Sequence, residues 1–154
     1  MDRTQEKNYK FGKEERLHHR SLVERLFREG TSFYEFPLRV TYNQLSPQQL
    51  TDNFRDQVPE GISGLQMMIT VPKKKRKRAV DRVLLRRRIR EAYRLNRLQL
   101  KETVEKKKDE IATFSVSFIY IHDQNLPYSS IEFKMKKVLK KLEQIINKEK
   151  KTDV

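Results

Sequence analysis

The sequence has no cysteine, only four glycines and no long apolar run. Without cysteine there can be no disulfide bond, thiolate metal site or cysteine nucleophile, and four glycines leave no glycine-rich loop for nucleotide phosphates. The apolar stretches are too short to cross a membrane, and the first residues lack the apolar run of a signal peptide. These absences predict a soluble, cytoplasmic protein in which residues 1–154 form a single domain.

Clustered metal ligands are also missing. The three histidines, His18, His19 and His122, do not have the spacing of zinc ligands. The acidic pair Asp109-Glu110 lies in a charged linker, with no apolar pocket in reach that would raise a pKa for acid–base catalysis. A protein nuclease that holds its own metal ions needs several carboxylates together. The sequence therefore predicts neither a catalytic residue nor a metal site in the protein itself.

Positive charge is what the chain has in abundance. Lysine and arginine total 35 against 21 acidic residues, which gives a formal net charge of +14. Apolar and charged residues each make up 36% of the chain, so a small core must carry a heavily charged surface. A basic domain of this size most often binds a polyanion. Nucleic acid is the leading class of partner, ahead of an anionic membrane surface.

Hydrophobic periodicity predicts an α+β sandwich of helices against a small sheet. In the first helix, Ser21 is expected to be the N-cap, Glu24 to complete a capping box, and Gly30 to be a left-handed stop. The predicted segments are a helix at 21–29, a strand at 33–42, an inserted mobile loop at 43–61, a strand at 64–71, a helix at 79–98 fading through charged residues 101–110, a strand at 114–121, a last helix opening at 127–130, and flexible ends at 1–12 and 148–154.

The helix predicted at 79–98 has two different faces. At about 100° per residue, apolar side chains collect on one half of its circumference and arginines on the other. Arg88 falls among the apolar positions, where Glu91 can pair with it one turn away. This segregation predicts a docked, ordered helix rather than a disordered basic tail. The apolar half comprises Val80, Leu84, Leu85, Ile89, Ala92, Leu95 and Leu98, and the other half Arg82, Arg86, Arg87, Arg90, Arg94 and Arg97.

Arginine on the outer half favours a phosphate ligand. Its planar guanidinium can bind two phosphate oxygens at once and can stack on an exposed base. The basic run Lys73 to Arg78 precedes the helix, where the N-terminal dipole also favours phosphate. A reader of double-stranded DNA could use such a helix, so this pattern alone predicts binding of a polyanion and no more.

The segment from Lys73-Lys74 to Glu91 resembles the signature of the bacterial ribonuclease P protein component. That signature reads Lys-Lys, a short gap, then Ala-x-x-Arg-Asn-x-x-Lys-Arg-x-x-Arg-Glu. The order of helices and strands on either side also resembles that family. Ala79, Arg82, Arg87, Arg90 and Glu91 match the signature, Arg86 replaces its lysine, and Val83 and Leu84 stand where asparagine and arginine are usual.

The resemblance implies a two-layer α+β sandwich with a central mixed sheet and a left-handed βαβ crossover, as in the second domain of ribosomal protein S5. It implies a subunit that joins the catalytic ribonuclease P RNA and helps it cut the 5′ leader from precursor tRNA. The active site is then expected in the RNA, with Mg²⁺ held mainly by the RNA, and no DNA or membrane partner is expected. The implied RNA-binding residues are Lys73, Lys74, Arg76, Arg78, Arg82, Arg86, Arg87, Arg90, Arg94 and Arg97.

The resemblance further implies a cleft between the sheet and a helix, where the single-stranded leader lies on aromatic and aliphatic side chains. Phe27 matches an aromatic position of that cleft, although a plain core residue is an equal alternative. Val23 stands where another aromatic is common, and Tyr42 or Val40 is expected on the strand side. The competing hypothesis for the whole chain is a ribosomal or RNA-assembly protein with no cleavage role.

Overall fold

A four-stranded mixed sheet organises the fold of this computed structural model, which describes residues 8–55, 57–62 and 64–149. The strands lie in the order β1-β2-β4-β3. The pairs β1–β2 and β2–β4 are antiparallel, whereas β3 and β4 run parallel. The strands are β1 (Thr31–Glu35), β2 (Leu38–Leu45), β3 (Leu65–Thr70) and β4 (Thr113–Tyr120).

Two helices connect the parallel strands β3 and β4, so the predicted βαβ crossover and α+β class are confirmed. A crossover is required here because parallel strands cannot be joined by a short hairpin. None of the helices in the described ranges is both long and apolar enough to span a membrane. The helices are α1 (Arg20–Glu29), α2 (Pro47–Asn53), α3 (Ala79–Asn96), α4 (Leu98–Lys106) and α5 (Tyr128–Glu149), with a 3-10 turn at Lys13–Glu15.

The main core lies between one face of the sheet and the helices α3, α4 and α5. Successive strand residues point to opposite faces, so alternate residues of β4 enter this core. Each fully buried large apolar side chain contributes about 1.5–3 kcal/mol relative to exposure. The buried side chains from β4 are Phe114, Val116, Phe118 and Tyr120, and those from α5 are Ile131, Met135, Val138, Leu139, Leu142 and Ile146.

A second, smaller cluster lies on the other face of the sheet, beneath α1. Leu22 and Leu26 of α1 are buried there against Leu17 and Leu45. The helix α1 contacts β2 and β4. Helices therefore pack on both faces of the sheet, but α1 and the short α2 cover the second face only in part, which leaves room for a cleft.

The predicted ends of α1 are wrong in detail. The helix begins at Arg20, and its N-cap is His19, which makes no side-chain capping bond. Ser21 is therefore already helical and cannot form the predicted capping box. Gly30 ends the helix with extended backbone (φ −70°, ψ 161°) rather than a left-handed turn. A Cβ at Gly30 would lie 2.3 Å from the carbonyl oxygen of Leu26, so close approach of the backbone is what requires glycine there.

The predicted loop at 43–61 is wrong for its first half, whereas residues 54, 55 and 57–61 have neither helix nor strand. Strand β2 continues to Leu45, and α2 follows with Ser46 as its N-cap. The Ser46 hydroxyl accepts from the Gln49 amide, and the Gln49 side chain accepts from the Ser46 amide, a capping box with proline at the first helical position. The predicted strand at 33–42 is a hairpin, in which β1 and β2 are separated by a cis Phe36–Pro37 peptide bond.

The ends of the chain are more ordered than predicted, as far as they are described. Residues 1–7 and 150–154 lie outside the described ranges. Phe11, predicted to be in a flexible segment, packs edge-on against Tyr93 with ring centroids 5.9 Å apart. Helix α5 extends to Glu149, so Lys148 is helical. The charged stretch after α3 forms the separate helix α4 rather than fading out.

Candidate nucleic-acid interface

The helix α3 carries the main basic surface of the protein. Its buried side chains, Leu85, Ile89, Ala92 and Tyr93, dock it on the core. Three of its arginines, Arg86, Arg87 and Arg90, form no hydrogen bond or ion pair with another described residue. We call these three residues the arginine face. Guanidinium groups without protein partners are available to bind phosphate oxygens.

The apolar half predicted for α3 is too wide. Leu85, Ile89 and Ala92 are buried as predicted, but Val80 is 61% exposed and Leu84 37% exposed. Leu95 is also exposed, and Leu98 belongs to α4. The core contacts only a narrow stripe of α3, formed by Leu85, Ile89, Ala92 and Tyr93. Exposed apolar side chains therefore interrupt the charged surface of the helix.

Arg97 does not lie on the exposed half of the helix as predicted. Its side chain is fully buried, with Nε 2.8 Å from Glu15 Oε1 and Nη2 2.9 Å from Glu15 Oε2. It also donates to the backbone oxygens of Lys10 and Arg94. With four acceptors inside the protein, Arg97 is a structural residue that joins the N-terminal segment to the end of α3.

The predicted Arg88–Glu91 pair does not form. Arg88 instead donates to the backbone oxygen of Leu126, in the loop before α5. Glu91 binds Arg94 through two hydrogen bonds of 2.6 and 2.9 Å. These bonds lower the pKa of Glu91 and keep it ionised despite partial desolvation. Arg94 is therefore less available to an anionic ligand than Arg87 or Arg90.

Local contacts also order the basic segment before α3. Arg82 donates to the backbone oxygens of Arg76 and Lys77 at 2.9 and 2.7 Å. Arg76 pairs with Asp81 at 3.1 Å, and Arg78 lies 4.0 Å from the same carboxylate. The Asn125 side chain and then Arg76 and Arg78 lower the pKa of Asp81. The segment is thereby held in a defined shape at the start of the helix.

Lys73 and Lys74 remain exposed in this ordered segment. Of the ten basic residues predicted to bind RNA, the structure places Lys73, Lys74, Arg86, Arg87 and Arg90 on the surface without protein partners among the described residues. Arg78 is exposed but lies near an acid. Arg76, Arg82 and Arg94 hold the local structure. RNA binding by these residues stays a prediction.

A groove along the edge of β3 adjoins the arginine face. Strand β3 is an edge strand, and its outer edge pairs at Met67 with the segment that precedes α1. Beyond this bridge, basic side chains from two parts of the chain, the N-terminal segment and α3, surround apolar strand residues. The edge groove is lined by Phe11, Arg16, Leu17, His18, Met67, Met68, Ile69, Arg86 and Arg90.

Sequence reasoning missed Arg16 as a partner of the α3 arginines. Arg16 lies on the surface, 70 and 74 positions before Arg86 and Arg90 in the chain, and they are brought together by contacts between distant parts of the chain, such as the strand pairing at Met67. Its guanidinium lies 5.6 Å from the ring centroid of Phe11, within range of a cation–π contact. A groove with an apolar floor and cationic walls suits an extended polyanion whose bases need apolar contacts.

The predicted strand side of the cleft is wrong, because Val40 and Tyr42 face the main core. Val40 is fully buried there, opposite Phe118 in the sheet, and Tyr42 stacks on Phe114 with centroids 5.9 Å apart. The helix α1 lies on the other face of the sheet. The sequence could not settle this point, because a shift of one residue reverses the faces of a strand.

Arg39 and Thr41 are, like Leu45, β2 residues on the α1 side. A Cβ at Gly30, the end of α1, would lie 2.9 Å from Thr41 Cγ2, and the Arg39 guanidinium lies 5.9 Å from the Tyr34 ring centroid. Phe27 is 50% exposed on α1, which rules out the alternative that it is a plain core residue. Val23 is half-buried against the cluster beneath α1.

Comparison with known proteins agrees with these features. Residues 11–143 match the family model described as Ribonuclease P. The ribonuclease P protein components of two Porphyromonas gingivalis strains are each 30% identical over 127 residues, which is 82% of either chain.

Two solved structures share the fold. The RNase P protein of Staphylococcus aureus aligns with a TM-score of 0.52 and 19% identity, covering 82% of this chain and 93% of that one. The RNase P protein of Thermotoga maritima aligns with a TM-score of 0.53 and 19% identity, covering 82% and 96%. Together with the family model and the more similar relatives, these matches show that the chain belongs to the ribonuclease P protein family.

Proposed function

We propose that this chain assists the ribonuclease P RNA in removing the 5′ leader from precursor tRNA, and that the cleavage chemistry takes place in the RNA. Membership of the family supports the role of a ribonuclease P subunit and disfavours the alternative of a ribosomal or RNA-assembly protein with no cleavage role. Since ribonuclease P is an enzyme, the chain is then part of an enzyme without supplying its catalytic residues.

The observation that carries the proposal is the arginine face and its position. Arg86, Arg87 and Arg90 have no protein partners among the described residues, and the helix that presents them is anchored by a fully buried stripe. The planar guanidinium group holds its donors in a fixed arrangement, so less side-chain freedom is lost for each hydrogen bond made to a phosphate. Lys73 and Lys74 extend this surface at the start of α3, where the helix dipole also favours phosphate.

The cleft on the α1 side of the sheet is the proposed path of the single-stranded leader. Phe27 offers an exposed ring from α1, and Tyr34 with Arg39 offers an aromatic–cation pair from the hairpin. Bases of any sequence stack on aromatic side chains, which suits a leader of variable sequence. Relative to the sequence-based prediction, Arg39, Thr41 and Tyr34 replace Val40 and Tyr42 on the strand side.

Mg²⁺ is proposed to be held by the RNA rather than by this chain. Among the described residues, no group of three or more histidine or acidic side chains lies together in a way that could hold a metal ion. Asp81, Glu91 and Glu15 each pair with arginine inside the protein. The part proposed for the chain is to neutralise phosphates, so that the folded RNA and its substrate are stabilised at lower Mg²⁺.

Reconstitution tests this function directly. The purified chain is mixed with a bacterial ribonuclease P RNA and precursor tRNA, and leader removal is followed as Mg²⁺ is lowered. We expect the chain to lower the Mg²⁺ needed for cleavage. Binding is compared for precursor tRNA and the same tRNA without its leader, with preference expected for the former. A chain that binds both equally and leaves cleavage unchanged would contradict the proposal and favour an RNA-assembly role.

A further inference from the structure

A second aromatic surface lies on the opposite side of the hairpin from the proposed leader cleft. It forms where the turn between β1 and β2 meets the first turns of α5. Two half-exposed rings, Phe36 (51%) and Phe133 (58%), face a concavity of about 400 Å³, a volume typical of sites for small organic groups. We call it the aromatic pocket, lined by Phe36, Pro37, Leu126, Ser129, Ser130, Phe133 and Lys134.

A row of lysines runs along α5 beside this pocket. Lys137 Nζ lies 4.6 Å from the ring centroid of Phe133, and Lys141 Nζ lies 4.2 Å from that of Phe33. Lys134 lies 3.4 Å from Glu35, so one of the three charges is partly compensated. Lys137 and Lys141 are exposed and have no acidic partner among the described residues. The rings therefore lie next to uncompensated positive charge.

The position of the pocket connects it to the basic surface of α3. Its wall includes Leu126, whose backbone oxygen accepts from Arg88. In the same loop, the backbone oxygen of Asp123 accepts from Arg76 of the basic segment, and Asn125 binds Asp81 at 3.0 Å. Three side chains of the α3 region thus fix the loop that separates the pocket from the helix. Only this loop separates the start of α3, where RNA is proposed to bind, from the aromatic pocket.

From these observations we propose that the aromatic pocket binds an unpaired nucleobase of single-stranded RNA, with the neighbouring phosphates along Lys134, Lys137 and Lys141. Flat rings provide stacking surfaces that any base can use, and adjacent lysines provide the charge that the RNA backbone requires. A second copy of this chain is a poorer occupant, because it would bring a like-charged surface of a protein with net charge +14 against the same lysines. This inference rests on the proposed function only in taking RNA as the partner.

The test measures binding of the full chain to single-stranded oligoadenylate of about twelve nucleotides, in which one adenine is replaced by the fluorescent base 2-aminopurine. An RNA duplex of equal length is the comparison ligand. The protein has no tryptophan, so the base can be observed with little interference. The variant Phe36→Leu/Phe133→Leu keeps the apolar volume and removes both rings, and circular dichroism checks that it folds.

We expect this variant to bind the single strand about tenfold more weakly, to lose the fluorescence change on binding, and to bind the duplex as before. Lys137→Gln/Lys141→Gln should weaken single-strand binding as well. Lys136→Gln/Lys140→Gln removes the same charge from the same helix, but these lysines line a separate groove with Asn96 and Gln99, so a smaller loss is expected.

Unchanged single-strand affinity in the aromatic variant would overturn the proposal. So would a wild-type dimer that becomes monomeric in that variant without any loss of RNA affinity, since the pocket would then bind a second copy. Equal losses from the two lysine pairs would show a general effect of charge and would also count against the pocket. This assay contains no ribonuclease P RNA. A negative result here therefore contradicts the aromatic pocket alone, whereas a negative reconstitution contradicts the proposed function.

Discussion

Arg97 and Glu15 form a fully buried, bidentate ion pair that joins the N-terminal segment to the junction of α3 and α4. Glu15 also accepts from the Gly12 amide and lies 3.6 Å from Lys101. Both members of the pair are thus surrounded by polar partners inside the protein. Removing one member of such a pair leaves an uncompensated buried charge, which costs far more than losing an ion pair in water.

Replacing Arg97 with Met should therefore destabilise the protein by about 3–5 kcal/mol. The matched control is Arg94→Met, three residues earlier, which breaks the partly exposed pair with Glu91 and should cost about 0–1 kcal/mol. Urea denaturation followed by circular dichroism measures both free energies of unfolding. A loss of only about 0–1 kcal/mol for Arg97→Met would show that Arg97 is not a structural residue.

The Glu15 carboxylate should make stability depend on acidic pH. Burial raises its pKa, but the hydrogen bonds and charge of Arg97, the Gly12 amide and Lys101 outweigh burial and hold the pKa below its ordinary value of 4.5. Because the pKa is lower in the folded state, the unfolded state binds more protons as the pH falls below 4.5. The stabilisation is thus complete above that pH and is lost on acidification.

The measurement compares the wild type with Glu15→Gln in urea at a series of pH values. Other carboxylates with lowered pKa, such as Asp81 and Glu91, affect both proteins alike. The difference in unfolding free energy should be largest near neutral pH and should shrink as the pH falls below 4.5. A difference that is constant with pH would contradict this assignment.

Removing the arginine face should weaken RNA binding without unfolding the protein. Arg86→Ala/Arg87→Ala/Arg90→Ala removes three guanidinium groups that have no described protein partners. If each binds one phosphate, the slope of log affinity against log salt should decrease in magnitude by about two to three. Affinity for ribonuclease P RNA is measured over a range of KCl. The control Lys106→Ala/Lys108→Ala/Lys148→Ala removes equal charge from exposed positions outside the proposed interface and should change the slope less.

The revised cleft predicts that Phe27 contributes to leader binding and that Val40 contributes to stability. Phe27→Ala should leave stability nearly unchanged, because the ring is half exposed, and should reduce the preference for precursor tRNA over mature tRNA by roughly tenfold through lost stacking. Val40→Ala should instead cost about 2 kcal/mol of stability, because it creates a cavity in the main core. Binding assays with both tRNAs and urea denaturation separate the two effects. A loss of leader preference in folded Val40→Ala would restore the original assignment.

Leu84 stands where the family usually has arginine, and it is exposed. Leu84→Arg should therefore fold normally and strengthen RNA binding, with the salt dependence steeper by about 0.7–0.9 for one added phosphate contact. Val80→Arg, also exposed on α3, tests whether any added charge has the same effect. Equal gains from both variants would show that position 84 has no special relation to the RNA.

The long elements of the fold could be predicted from the sequence, and several contacts between them could not. Helices α3 and α5 and strands β3 and β4 have clear periodicity, which decides their type and approximate ends. The capping box of Ser46 and Gln49 could have predicted α2 from the sequence. It was missed because the segment is polar and contains two prolines. The hairpin turn at Phe36–Pro37 was missed because the strand-like residues continue on both sides of it.

The candidate site was predictable only where it depends on one helix. The signature residues of α3 indicated the family; Arg87 and Arg90 lie exposed as expected, and Arg86 is half-buried. The burial of Arg97 depends on Glu15, 82 positions away in the chain, and no helical periodicity reports such a partner. The alternation of Leu38, Val40 and Tyr42 with Arg39 and Thr41 predicts which side of β2 faces the core, but it does not show that α1 lies over the opposite side.

The pairing of Arg16 with Met67 and of Glu15 with Arg97 has a consequence for synthesis of the chain. A ribosome releases Glu15 long before it makes Arg97, so the carboxylate must stay in water until the whole of α3 has emerged. The N-terminal segment cannot dock during that time, and the edge of β3 stays open. Nascent chains whose α3 is still inside the ribosome should therefore be cut by protease near residues 10–17, whereas chains long enough to expose α3 and α4 outside the ribosome should resist.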